Sequence, residues 1–235
     1  VMAWWRRWFG PAVRLLPAHS QRLAAWKALP APSLSAPVLA SRYVVVDVET
    51  TGLDLGKDRL ISIGAVAVVE GKVALGDSFY VVLQQREASD KRNILLHGIG
   101  AAAQREGEPP VEALLTFLEY LGKSPLIAFH VTFDETMIRR ALREHLGLNL
   151  KHPWLDLAYV MPALHPRLAH RCRALDDWIA RFGIRIDVRH NALADALATA
   201  QLFQVAYAEA ARQGMVDMAA LRGLEQAQRW VGTMR

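Results

Sequence analysis

Two carboxylates stand two residues apart where an apolar run ends, in Tyr43-Val44-Val45-Val46-Asp47-Val48-Glu49-Thr50-Thr51-Gly52-Leu53. The β-branched residues of 43–48 predict a buried strand. Side chains alternate across a strand, so Asp47 and Glu49 share one face. Two carboxylates at the end of a buried strand repel one another and lose hydration unless positive charge offsets them. A divalent cation does this best, and hard cations take oxygen ligands. The Thr50-Thr51-Gly52 turn sets backbone N–H groups and hydroxyls beside such an ion. Read alone, Asp-x-Glu before a turn is equally the composition of a solvated strand end.

A third carboxylate, Asp134, follows the apolar run 126–129 and opens a helix. It reads as a helix N-cap, as a carboxylate delivered to the sheet edge, or as both. His190-Asn191-Ala192-Leu193-Ala194-Asp195 supplies the last pair. Asp195 interrupts an alanine- and leucine-rich segment that otherwise reads as buried, so its charge needs a partner. An imidazole takes up a proton near neutral pH, which suits His190 to general-base work. The bland alternative is a surface histidine beside a solvated aspartate.

These groups are far apart in sequence, and a particular set of elements must bring them together. Strands are predicted at 43–48, 60–69, 73–83, 126–129 and 154–157, with Glu70-Gly71 as the turn between the second and third. Helical periodicity marks 111–121, 135–146, 174–182, 191–211 and 216–231. A three-strand meander followed by strands alternating with helices predicts a mixed five-stranded sheet flanked by helices.

Taken together, the motifs resemble the DEDDh-type exonuclease superfamily. Asp47-Val48-Glu49-Thr50-Thr51-Gly52-Leu53 matches its first motif, His130-Val131-Thr132-Phe133-Asp134 its second, and His190 with Asp195 its third. Further echoes are Ile61-Ser62-Ile63-Gly64-Ala65-Val66, His97-Gly98-Ile99, Trp154-Leu155-Asp156-Leu157 and Ala174-Leu175-Asp176. The likeness spans roughly 43–210 and is greatest to the epsilon-type proofreading subunits of bacterial DNA polymerase III. It implies an α/β, ribonuclease H-like fold. It further implies that Asp47, Glu49, Asp134 and Asp195 bind two divalent ions, Mg²⁺ or Mn²⁺, with His190 as general base. Thr50, Thr51 and Leu53 would hold the terminal nucleotide, and His97 and Phe133 would line its pocket. The implied activity is 3′→5′ hydrolysis at single-stranded or frayed DNA 3′ ends. The alternatives are an exoribonuclease of the same fold and a non-catalytic partner-binding module. One position departs from the pattern: Val131 stands where the family usually has Asn.

The chain has 235 residues, 52% hydrophobic and 22% charged, which is globular and not disordered. A single cysteine, Cys172, excludes an internal disulfide and fits a cytoplasmic setting. No matching hydrolase pattern surrounds it, although Arg171 and Arg173 flank it. The longest charge-free stretch, 28–41, carries Pro30, Pro32 and Pro37, so no transmembrane segment is expected.

Of the 28 basic residues, Arg6, Arg7, Arg14, Arg22, Lys27 and Arg42 lie in 1–42 with no acidic residue, leaving 22 basic against 23 acidic in the remainder. The chain therefore divides into a basic, Trp-rich helical arm and proline-containing linker (1–42), the exonuclease-like domain (43–214) and a C-terminal helix packed on or extending from it (215–235). Through Trp4, Trp5, Trp8 and its arginines, the arm is a candidate contact for nucleic acid, a membrane surface or a protein partner. The alternative is a helix packed on the domain.

Overall fold

The protein's structure, a computed structural model, describes residues 13–233. The reading of Trp4, Trp5, Trp8, Arg6 and Arg7 as a contact surface lies outside those residues.

β1 (Arg42–Thr50), β2 (Leu60–Val69), β3 (Lys72–Val82), β4 (Leu126–Ala128) and β5 (Trp154–Asp156) form one sheet in the order β3-β2-β1-β4-β5. The first three strands make the antiparallel meander, while β4 and β5 run parallel to β1. Glu70 and Gly71 both take positive φ, 52° and 72°. That is the pair of left-handed residues a tight hairpin requires.

Alternation along β1 divides the core. Val44, Val46 and Val48 enter a cluster on one face with α1 (Pro17–Ala28), α4 (Pro110–Leu121) and α5 (Val131–Leu146). Tyr43 and Val45 enter the opposite cluster with α6 (Leu157–Leu164), α7 (Leu175–Arg181), α8 (Ala192–Arg212) and α9 (Met218–Thr233). Cys172 is buried in this second cluster. The remaining short helices, α2 (Lys91–His97) and α3 (Ala101–Arg105), lie between β3 and α4.

Two local readings are corrected, and one further helix had no sequence assignment. The helix expected from 135 begins at Val131, so Asp134 lies inside its first turn and is not the N-cap. His130 takes the N-cap place in a left-handed conformation, φ 66°. A distant carboxylate stabilises that turn: Asp156 accepts hydrogen bonds from the backbone N–H of His130 (2.9 Å) and Val131 (3.1 Å). Next, 157–164 is helical although Pro162 lies within it; Asp156 caps its start by accepting from Ala158 N–H at 3.0 Å. Finally, the stretch read as a linker is tied down. Val38 is fully buried, its N–H donates to Val216 C=O at 2.8 Å, and Ala219 N–H donates to Leu34 C=O at 2.9 Å.

α1 is docked on α4. Leu23 and Trp26 are buried in the first cluster, and Trp26 Nε1 donates to Gly122 C=O at 2.7 Å. Lys123 Nζ lies 3.3 Å from the centroid of the Trp26 ring. Arg22 pairs with Glu112 and Glu119, and Arg42 grips Asp77 with two hydrogen bonds of 2.8 Å. Two of the six cations counted in 1–42 are thus already opposed by carboxylates. Among the described residues, no helix is long and apolar enough to cross a membrane.

Candidate active site

β1 outruns its neighbour. Its pairing with β4 ends at Val45–Ile127, yet the strand continues to Thr50. Asp47 and Glu49 therefore stand on a stretch open to the parallel side, on the face that α8 covers. Asp195 comes from the first turn of α8. One carboxylate oxygen each from Asp47, Glu49 and Asp195 lie within 4.8 Å of one another, close enough for one cation to bind all three.

Gly64 makes this approach possible. It pairs with Asp47 across β1 and β2. A Cβ on it would stand 2.2 Å from Ala192 C and Leu193 N, so a side chain there would push away the start of α8. The Ile61–Val66 run was legible as a family echo, but only the packing shows why its fourth residue is glycine.

Asp134, buried in the first turn of α5, lies outside that set of three. It still faces the same charges. Burial first, then the charges of Asp134, Asp195 and Glu49, push the Asp47 carboxyl well above the usual range. Burial, then Asp195, raise Glu49 from 4.5 to about 7. Asp134 is raised by burial and by the charges of Asp156 and Glu49, against opposing backbone hydrogen bonds at Asp134 and Val48. Asp195 is raised mainly by burial, with Arg189 opposing. Carboxylates held in this way strongly favour any added positive charge, so the residues fit a divalent ion.

Arg189 supplies part of that charge and was missed in the sequence, where it reads as an ordinary basic residue before His190. Its Nε donates to Asp176 Oδ1 at 2.6 Å and its Nη1 donates to Asp195 Oδ1. Against burial, which lowers it, these two carboxylates raise the guanidinium pKa. His190 sits just before α8 with a left-handed backbone, φ 57°, and an exposed side chain. Its backbone N–H donates to Asp195 Oδ2 at 2.9 Å, which fixes the histidine next to the cluster.

The expected nucleotide-pocket residues divide. Thr50 is buried, with its hydroxyl donating to Gly52 C=O at 2.6 Å. Thr51 Oγ1 donates to Asp58 at 2.8 Å and accepts from Arg59 N–H at 2.9 Å, which leaves Leu53 at the loop tip, 85% exposed. His97 is turned inward: Nδ1 accepts from Ile99 N–H at 2.9 Å and Nε2 lies 2.8 Å from Asn93 Oδ1. Phe133 is partly buried against the first cluster. Val131, the departure from the family pattern, buries its side chain in that cluster. A cavity of about 780 Å³ lies between the 59–60 strand start and α5, with Arg59, Arg86 and Arg140 among its walls, but none of the four carboxylates, His190 or the expected nucleotide-pocket residues lines it.

The sequence is 30% identical over 161 residues to a PolC-type DNA polymerase III of Thermotoga petrophila, covering 68% of this chain and 11% of that protein. It is 32% identical over 165 residues to a DNA polymerase III subunit epsilon-like protein of Rhodobacter capsulatus, covering 68% and 23%. The chain thus spans less than a quarter of either relative's length. In fold it is similar to E. coli Exonuclease I in complex with a dT13 oligonucleotide, with a TM-score of 0.62 at 19% identity over 74% of this chain and 42% of that one. The resemblance to the DEDDh-type superfamily drawn from the motifs holds. The family model RNase_T, described as an exonuclease, matches residues 44–203, and the chain belongs to that family.

Proposed function

We propose that this domain is a 3′→5′ exonuclease of the DEDDh type that releases nucleoside monophosphates from DNA 3′ ends. The observation that carries this reading is the convergence of Asp47, Glu49 and Asp195 within 4.8 Å beside His190. Asp47, Glu49, Asp134 and Asp195 would hold two divalent ions, Mg²⁺ or Mn²⁺. When bound, such ions would stabilise charge on the entering and leaving oxygens of a phosphodiester.

The protein's own groups do the rest. His190, exposed beside the carboxylates, accepts the proton of the attacking water as the water oxygen bonds to phosphorus and the 3′ oxygen of the preceding deoxyribose leaves. The Thr50–Leu53 turn holds the terminal nucleotide, with Leu53 free to pack against its base. His97 shapes the pocket from behind through its bonds to Asn93 and Ile99, and Phe133 lines it. Arg59, Arg86 and Arg140 offer positive charge to the phosphates of the approaching strand.

The test uses 3′-labelled single-stranded DNA, duplex DNA and RNA, with Mg²⁺ or EDTA, on wild type and on Asp47→Asn and Asp195→Asn. The reading requires Mg²⁺-dependent release of mononucleotides from DNA and its loss in both variants with folding intact. Preferential RNA digestion would make it the exoribonuclease of the same fold. Wild-type rates in either variant would overturn the site assignment.

A further inference from the structure

The C-terminal helix lies beyond the residues matched by the family model, yet it reaches the support of the active site. Asp156 is almost fully buried, 1% exposed, and four groups converge on its carboxylate. Oδ1 accepts from His130 N–H (2.9 Å) and Ala158 N–H (3.0 Å), and Oδ2 accepts from Val131 N–H (3.1 Å) and from Arg229 Nη2 (2.8 Å). Arg229 comes from α9. Its guanidinium also donates from Nε to Glu225 Oε1 at 2.8 Å and lies 4.0 Å from the centroid of the Tyr159 ring. Glu225 completes the circuit by accepting from the backbone N–H of Asp156 at 3.2 Å.

Two of the three backbone N–H groups that Asp156 engages, those of His130 and Val131, belong to the left-handed turn from which α5 starts, and Asp134 lies one turn further on. A cavity of about 400 Å³, lined by Val131, Thr132 and Glu135 on one side and Arg222 and Arg229 on the other, separates this turn from α9. The connection across that gap is therefore polar and directional, unlike the apolar contact of a helix laid on a core. Polar partners behind a metal ligand set where the ligand can sit.

We propose that Arg229 of α9 is a positioning residue for the active site: by anchoring Asp156 it holds the His130–Val131 turn and so sets the place of Asp134. The inference rests on the reading of Asp134 as a metal ligand.

Three variants test it: Arg229→Gln, Arg229→Lys and, as a control on the same helix, Leu221→Ala. Leu221 is fully buried, so its truncation loosens α9 without touching Asp156. Mn²⁺ binding is measured by titration calorimetry, thermal unfolding by circular dichroism, and amide hydrogen exchange over 129–135 by mass spectrometry. Arg229→Gln is expected to weaken Mn²⁺ binding by up to about 10-fold, the low end for losing a group bonded directly to a metal ligand because Arg229 acts through Asp156 and the turn, and to speed exchange at His130 and Val131. Arg229→Lys restores part of both. Leu221→Ala lowers the melting temperature and leaves Mn²⁺ affinity and that exchange unchanged. The proposal is overturned if Arg229→Gln matches wild type in metal affinity and exchange, or if Leu221→Ala changes both as much as Arg229→Gln does. Should wild type take up no Mn²⁺, the metal-site reading fails, and the anchoring of the turn is then decided by exchange alone.

Discussion

Replacing Glu49 by Gln should make the metal-free protein more stable at alkaline pH, although it removes an active-site residue. In the folded chain Glu49 is raised from 4.5 to about 7, by burial and then by the charge of Asp195. Below pH 4.5 the carboxyl is protonated whether the chain is folded or not. As pH rises towards 7 the unfolded chain ionises freely while the folded one resists, so stability is lost through that window. From 4.5 to about 7, the loss amounts to about 3 kcal/mol. For a domain of this size that corresponds to roughly 6–12 °C in melting temperature. Glutamine cannot ionise, so Glu49→Gln escapes the loss. Asp47 carries a shift of the same sign and will steepen the curve in both proteins, less so in the variant because Glu49 is one of its causes.

The assay is thermal unfolding in EDTA at fixed ionic strength from pH 4.5 to 8, repeated with Mn²⁺. In EDTA the wild-type midpoint should fall progressively below that of Glu49→Gln as pH rises from 4.5 to about 7, and stay below it at higher pH. Added Mn²⁺ should raise the wild type above the variant, because the cation supplies the missing charge. Parallel curves for the two proteins in EDTA would refute the argument that Glu49 is held in a desolvated cluster of like charges.

Other consequences follow from the packing. Gly64→Ala should cost about 3 kcal/mol or more, seen in urea unfolding, because its Cβ meets the backbone of α8; an unchanged midpoint would mean that α8 does not press on β2. Trp26→Ala should cost about 3–5 kcal/mol while leaving kcat unchanged, since α1 packs on α4 away from the carboxylates; a loss of kcat below the unfolding transition would contradict this. Ca²⁺ should support DNA binding but little cleavage, because its longer, looser coordination misplaces the attacking water; binding by fluorescence anisotropy and turnover on one substrate separate the two, and equal turnover in Ca²⁺ and Mg²⁺ would count against the proposed mechanism.

Periodicity and turn chemistry determined much of the fold. The 43–48 run, the 60–69 and 73–83 alternation and the Glu70-Gly71 turn specify the meander, because each signal is complete within a few residues. The same alternation placed Asp47 and Glu49 on one face. The α/β class and the sheet flanked by helices follow at that level. What local pattern does not contain is any contact between distant segments. The start of α5 was misjudged because its turn is completed by Asp156, 26 residues further along the chain than His130. The 28–41 stretch read as a linker because its prolines are local, whereas its bonds to Val216 and Ala219 are not. Arg189 was indistinguishable from a surface cation until the fold set it between Asp176 and Asp195. Sequence supplied the candidate carboxylates, but their meeting depends on the closeness of α8 to β2 at Gly64. That approach is set by the volume of one absent side chain facing a backbone more than a hundred residues away, and only the tertiary structure carries that information.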